Sequence, residues 1–199
     1  MRLLLAIAFM SASFAAHSAP RDPADGRLMP PEKVADYVWV MRQPDRLWAA
    51  VIGNVTIVEQ SDGVVLIDSG GSIADGRDVV AGVKGLTAKP VKAVAITHWH
   101  NDHPLGLPAI VEAYPRARVI STPQARDHVQ TETNTSVGKP SAEMDAARRE
   151  RITKTLAELE AEAADPKTSP DVRAQWAIEI GWIRRRLERL IGNYVLVPS

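Results

Sequence analysis

Residues 97–103 read Thr-His-Trp-His-Asn-Asp-His, and they directly follow an apolar, β-branched run. The segment holds three of the chain's five histidines and one carboxylate. Isolated histidines are usually packed or solvated side chains, but four ligand-type side chains at this spacing favour a metal site. Imidazole and carboxylate together suit zinc and neighbouring divalent ions, and a tight turn at a strand end can aim alternate side chains at one point. The candidate ligands are His98, His100, Asp102 and His103.

The pattern H-x-H-x-D-H resembles the signature of the metallo-β-lactamase fold hydrolases. The resemblance implies two Zn²⁺ ions, the first held by His98 and His100 and the second by Asp102 and His103. It also implies catalysis by a metal-activated hydroxide that attacks an ester, lactone, amide or similar bond, with Asp102 as the catalytic residue that orients the nucleophile or passes a proton. The chain has no cysteine, so it cannot supply the cysteine ligand that some members use.

Periodicity around the motif predicts an α/β fold. Strand, helix and strand within about 35 residues indicate a parallel βαβ unit, whose ligand sites lie beyond the carboxyl ends of the strands. The predicted elements are strands at 37–41, 47–60 and 64–67, a helix at 73–87, a strand at 91–97, a helix at 104–113, a strand at 117–121 and a short helix from 123. This order is similar to the first half of the family's αββα sandwich.

Asp68 ends the third predicted strand, in the sequence Asp68-Ser69-Gly70-Gly71. The family carries Asp-x-Gly at this point, and the resemblance implies that this carboxylate orients the metal loop from a second shell. A simple turn or a helix cap is the alternative interpretation.

Two further amphipathic helices are predicted at 142–164 and 171–191, with turn residues between them. They favour an appended antiparallel helical hairpin. Its cluster of Arg184, Arg185, Arg186 and Arg189 is interpreted as a solvated face rather than a binding site. The expected division is a signal peptide at 1–18, an extended lead-in at 19–33, the N-terminal half of a metallo-β-lactamase-like domain at 34–140, the helical hairpin insertion at 141–192 and the start of a truncated strand at 193–199.

The charge balance and the N-terminal sequence indicate which classes of partner and which location to expect. Lys plus Arg and Asp plus Glu number 24 each, so no overall field favours nucleic acid or an anionic membrane, and a small-molecule substrate is the better expectation. Residues 1–19 combine a basic start, an apolar run and small residues, which is typical of a secretory signal peptide. The run is shorter than the roughly 20 residues that span a bilayer, so we expect no stable membrane anchor and a secreted, periplasmic protein.

The family's second half supplies further ligands, and none is matched in this sequence. His128, in the short predicted helix, is interpreted as surface or packing. Three hypotheses therefore remain: a zinc-dependent hydrolase, a periplasmic metal-binding or interaction protein without catalysis, and an inactive truncated product. A half sandwich would leave a sheet face uncovered, so self-association through that face or through the hairpin is also expected.

Overall fold

The computed structural model describes residues 28–43, 53–132, 135–190 and 192–198. The predicted signal peptide at 1–18 and most of the lead-in at 19–33 lie outside the described residues, as does the first part of the strand predicted at 47–60.

The described chain forms one six-stranded sheet whose spatial order follows the sequence order. The strands are β1 (Glu32–Ala35), β2 (Val38–Met41), β3 (Val55–Gln60), β4 (Gly63–Ile67), β5 (Val91–Ala95) and β6 (Arg118–Ile120). The first four strands pair antiparallel, while β4, β5 and β6 are parallel. The helices are α1 (Ile73–Leu86), α2 (Leu107–Ala113), α3 (Pro123–Thr131), α4 (Ala142–Ala164) and α5 (Pro170–Leu187). The α/β class and the βαβ unit predicted from periodicity are confirmed.

One face of the sheet carries the hydrophobic core. Register places Trp39, Ile57, Leu66, Val94 and Val119 in a single row across strands β2 to β6. All five pack in the cluster that α1 and α2 cover. Burying an apolar side chain of this size contributes about 1.5–3 kcal/mol, so this row anchors both helices.

The neighbouring row faces the other side of the sheet, because successive side chains of a strand alternate. It contains Val40, Thr56, Ile67, Ala95 and Ile120, of which the first four are half-buried and Ile120 is exposed. The second face is thus apolar and less buried than the first.

Helices α1 and α2 meet through glycine. A Cβ atom on Gly76 would lie 2.2 Å from the carbonyl oxygen of Gly106, a distance that real contacts do not reach. Gly106 precedes α2 as its N-cap residue. The two glycines therefore let the helix starts approach each other behind the carboxyl ends of β4 and β5.

The predicted helical hairpin is present as α4 and α5. Leu159, Ile180 and Ile183 form their shared core, with Ile152, Leu156 and Trp176 around it. Arg184 and Arg185 are exposed, as predicted. The solvated-face interpretation is wrong for Arg186 and Arg189.

Those two arginines pack against α1. Arg186 Nη2 lies 2.6 Å from Asp75 Oδ2, and Arg189 Nη2 lies 3.0 Å from Asp75 Oδ1 and 2.7 Å from Asp78 Oδ2. Asp75 is fully buried and Arg186 is 5% exposed. The carboxylates that bury these cations lie more than 100 positions earlier in the chain, so the local charge run could not reveal them.

The expected strand at 193–199 is only a single parallel bridge between Val137 and Val195 among the residues described there. Asn193 instead accepts a hydrogen bond from the backbone N–H of Ile73, at the start of α1. The boundaries of the predicted domains stay predictions.

No helix in the described part of the chain combines the length and apolar character needed to cross a membrane.

Candidate metal centre

Two loops form the candidate site, one after β4 and one after β5. The strands are parallel neighbours, so both loops leave the same edge of the sheet. The N–H of Asp68 donates to the carbonyl of Ala95, and both the N–H and the hydroxyl of Ser69 donate to the carbonyl of His103 (2.9 and 2.6 Å). These bonds join the Asp68 loop to the histidine motif.

Asp68 forms hydrogen bonds to two residues of the motif. Its backbone adopts φ 64°, a left-handed conformation that Asp tolerates better than most residues, and it is 5% exposed. Its carboxylate accepts from the N–H of Thr97 at 2.9 Å and from the Thr97 hydroxyl at 2.9–3.0 Å. It also lies 2.8 Å from His103 Nδ1. The carboxylate thus holds both the first and the last residue of the motif.

His103 lies between two carboxylates. Its Nδ1 faces Asp68, and its Nε2 lies 3.3 Å from Asp102 Oδ2. Burial disfavours the imidazolium, but the hydrogen bonds and charges of Asp102 and Asp68 outweigh it and raise the pKa of His103 to about 9. In Asp102, burial opposes ionisation, yet the bond from His103 and its charge still lower the pKa of the carboxyl group.

The backbone of Gly53 lies close to both His103 and Asp102. A Cβ atom on Gly53 would lie 2.7 Å from His103 Cε1 and 2.9 Å from the carbonyl oxygen of Asp102. Only glycine therefore fits at this position without displacing the motif.

The ring of His98 lies next to the rings of the other two motif histidines. The ring centroid of His98 lies 3.9 Å from that of His103 and 4.9 Å from that of His100. Burial, followed by the charges of His103 and His100, lowers the pKa of His98 and favours its neutral, metal-binding form. Trp99 stacks on His100 with centroids 4.4 Å apart and packs against the cluster of Leu105, Val129 and Val195.

The donor types fit zinc, because imidazole nitrogens and a carboxylate are its common ligands. These donor side chains contact one another only in pairs. Among the residues that the structure describes, no group of three or more His, Asp or Glu side chains converges as a metal site. The four predicted ligands are thus gathered at one sheet edge without being aimed at one point.

Sequence reasoning missed three contributors to the site. Thr97 bonds Asp68 through two groups, and its hydroxyl also lies 3.1 Å from His98 Nδ1. Asn101 donates to the hydroxyl of Thr135 at 3.0 Å, and Thr135 accepts from Arg148 of α4. The available signals were the position of Thr97 next to the motif and that of Asn101 within it. His128, which was interpreted as surface, is exposed, with its ring centroid 5.7 Å from that of Trp99.

Residues 48–185 match the family profile of the metallo-beta-lactamase superfamily. The chain belongs to this superfamily. The match covers most of the chain and includes the candidate site, so the metallo-β-lactamase-like fold expected from the motif is confirmed.

Individual relatives match shorter stretches of the chain. A 55-residue stretch is 36% identical to the linear primary-alkylsulfatase of a Pseudomonas species and covers 28% of this chain and 10% of that protein. A 62-residue stretch is 31% identical to the lactamase-like protein ptaB of Pestalotiopsis fici and covers 31% of this chain and 20% of that protein. The matches thus span a tenth and a fifth of these relatives.

Solved structures with similarity include two metallo-beta-lactamases. The enzyme from Erythrobacter litoralis is 25% identical with a TM-score of 0.44, over 51% of this chain and 45% of that one. MIM-1 from Novosphingobium pentaromativorans is 26% identical with a TM-score of 0.45, over 59% of this chain and 38% of that one.

Proposed function

We propose that this protein is a zinc-dependent hydrolase of small molecules, with His98 and His100 as ligands of one ion and Asp102 and His103 as ligands of a second. The observation that carries the proposal is the gathering of these four side chains at the carboxyl end of β5, with His103 held by Asp68. A carboxylate behind a histidine ligand is the usual means of fixing its ring orientation and tautomer.

We assign each residue a task that its contacts support. Asp68 occupies the Nδ1 side of His103, and Nε2 faces Asp102, the other proposed ligand of the second ion. Thr97 supplies two hydrogen bonds that keep the Asp68 carboxylate in place. When bound, zinc supplies Lewis acidity that activates water and polarises the bond under attack.

Asp102 is the proposed catalytic residue. Its lowered pKa keeps the carboxylate ionised near neutral pH, and its side chain is 24% exposed, so a small substrate can reach it. An ionised, accessible carboxylate can orient a nucleophilic water or accept its proton. We assign it that role in the attack on an ester, lactone, amide or similar bond.

The superfamily does not fix the bond that is cleaved, because one fold hosts many reactions. The alkylsulfatase relative adds sulfate esters to the candidate substrates. We further propose export to the periplasm, on the basis of the N-terminal sequence pattern.

The test measures both the zinc content of the protein and its turnover of substrates. Purified protein is analysed for zinc by plasma mass spectrometry and assayed on a β-lactam, a lactone, a carboxylic ester and a sulfate ester, before and after chelation and zinc return. We expect bound zinc and a chelator-sensitive activity that Asp102→Asn removes while the circular dichroism spectrum is kept. Absence of both zinc and turnover in the folded protein would refute the proposal.

A non-catalytic metal-binding or interaction protein is the second candidate. The pairwise orientation of the donors among the described residues favours it, because such a site binds metal more weakly than a convergent one. This function is selected if the protein binds zinc but turns over none of the four substrates. Asp102→Asn should then leave the substrate assays unchanged.

A further inference from the structure

The base of the helical hairpin is the end at which α4 begins and α5 ends. Polar groups connect it to the histidine motif. Arg148 of α4 is 7% exposed, and its guanidinium donates through Nη2 to the hydroxyl of Thr135. Thr135 is 3% exposed and also accepts from the side-chain amide of Asn101 at 3.0 Å. Asn101 stands between His100 and Asp102, so the connection ends within the ligand segment.

Arg148 is itself held firmly. Its Nη1 donates to the carbonyl of Leu190 at 2.8 Å and lies 3.5 Å from Asp145 Oδ1. The other oxygen of Asp145 accepts from the N–H of Gly192 at 2.8 Å. A planar guanidinium with fixed partners on both nitrogens presents its donor in one direction, which a lysine ammonium would not do.

A second connection reaches the other loop of the site. Asp75, which pairs with Arg186 and Arg189 of the hairpin, also accepts from the N–H of Gly71 at 3.2 Å. Gly71 closes the loop that begins at Asp68. The hairpin base is therefore linked to each of the two loops that carry the candidate site through one intervening residue, Thr135 or Asp75.

We propose that the helical hairpin is a positioning element for the metal loop, with Arg148 acting through Thr135 on Asn101. The inference rests on the proposed function, because it assigns the loop a metal-holding task. Arg148 and Thr135 are positioning residues: neither is a candidate ligand, and their effect on the ligands passes through the side chain of Asn101. Loss of the Thr135 hydroxyl would remove the acceptor that Arg148 and Asn101 share and free the middle of the motif to move.

The experiment compares Thr135→Val, which removes the hydroxyl at nearly constant volume, with Thr135→Ser, which keeps it. Zinc affinity is measured by competition with a chromophoric chelator. Amide hydrogen exchange is measured by NMR in the zinc-free protein at His103, whose N–H donates to the carbonyl of His100, and across β3 and β4. Arg184→Met, on the exposed side of the same hairpin, is the control variant.

We expect Thr135→Val to weaken zinc binding about tenfold, the lower end of the range for changes behind metal ligands. It should speed exchange at His103 but not in β3 or β4, and Thr135→Ser and Arg184→Met should resemble the unchanged protein. Equal zinc affinity and equal His103 exchange in the Val and Ser variants would overturn the inference. Faster exchange throughout β3 and β4 would also overturn it, because the role of Thr135 would then be global stability.

The two proposals fail separately. A wild-type protein without zinc affinity refutes the hydrolase, while the His103 exchange rates still decide whether the hairpin positions the loop. If Thr135→Val does not fold, Asn101→Ala removes the same hydrogen bond and leaves Arg148 and Thr135 in contact. It must then reproduce the local exchange change at His103.

Discussion

Replacing Asp75 by Asn tests whether the hairpin is fixed to the domain by buried charge. Asp75 is fully buried and accepts from Arg186 at 2.6 and 3.3 Å and from Arg189 at 3.0 Å. An amide keeps the size of the side chain but removes its charge. Arg189 still has Asp78 at 2.7 Å, whereas the ion pair of Arg186 with Asp75 is lost.

The expected cost is therefore that of one broken buried ion pair, about 3–5 kcal/mol. For a domain of this size each kcal/mol lowers the melting temperature by about 2–4 °C, so a decrease on the order of 10 °C is expected. Arg184→Met is the matched control: Arg184 pairs with Glu160 at 2.6 Å, but the two side chains are 61% and 41% exposed. An exposed pair contributes about 1 kcal/mol or less, so this variant should melt close to the unchanged protein.

The same pair predicts acid sensitivity. Burial acts to raise the pKa of Asp75, but the charges and hydrogen bonds of Arg186 and Arg189 prevail and lower it below its ordinary 3.8. A depressed carboxyl pKa stabilises the folded state above the unfolded value, and the contribution is lost as pH falls through the folded value. Stability of the wild type should thus decline as pH falls below about 4, and Asp75→Asn should remove that part of the decline.

The assay is thermal unfolding followed by circular dichroism, at pH 7 and through a series down to pH 2. Unfolding must be reversible for the free energies to be compared. A melting temperature for Asp75→Asn within about 2 °C of both the wild type and Arg184→Met at pH 7 would refute the reasoning.

Two further predictions concern the site itself. Gly53→Ala should destabilise the fold by about 1–3 kcal/mol and weaken zinc binding, because its Cβ would enter contacts of 2.7–2.9 Å at His103. Gly85→Ala, whose Cβ meets nothing within 4 Å in α1, should be neutral or stabilising, and denaturant titration compares the two; equal stabilities would contradict the contact argument. His100→Ala should abolish zinc binding while His128→Ala leaves it largely intact, as measured by chelator competition, and the reverse ranking would show that the ligands are misassigned.

Much of the fold follows from local pattern. The β-branched apolar residues of β3 and β4 and the helical spacing in α4 and α5 are properties of short windows, so the sequence predicts that these elements exist. It places β4, α4 and α5 to within a few residues, whereas β3 begins at Val55 and not at 47. Within the segment expected as a strand at 193–199, the described residues form one bridge, between Val195 and Val137. Next to it, the side chain of Asn193 accepts from the N–H of Ile73 in α1, and the backbone N–H of Gly192 donates to Asp145 of α4. Strand pairing depends on what lies alongside, which a short window does not contain.

In the candidate site, too, the sequence determined some features and the tertiary structure decided others. The sequence by itself determined the ligand types and their place at a strand end, because the spacing of His98, His100, Asp102 and His103 is a property of one short segment. Only the tertiary structure decided what surrounds them. The Asp68–His103 contact joins residues 35 positions apart, and the pairing of Arg186 with Asp75 joins residues 111 positions apart. Such partners are chosen when elements pack, because burial makes an unpaired charge or donor costly and so selects the arrangement that satisfies it.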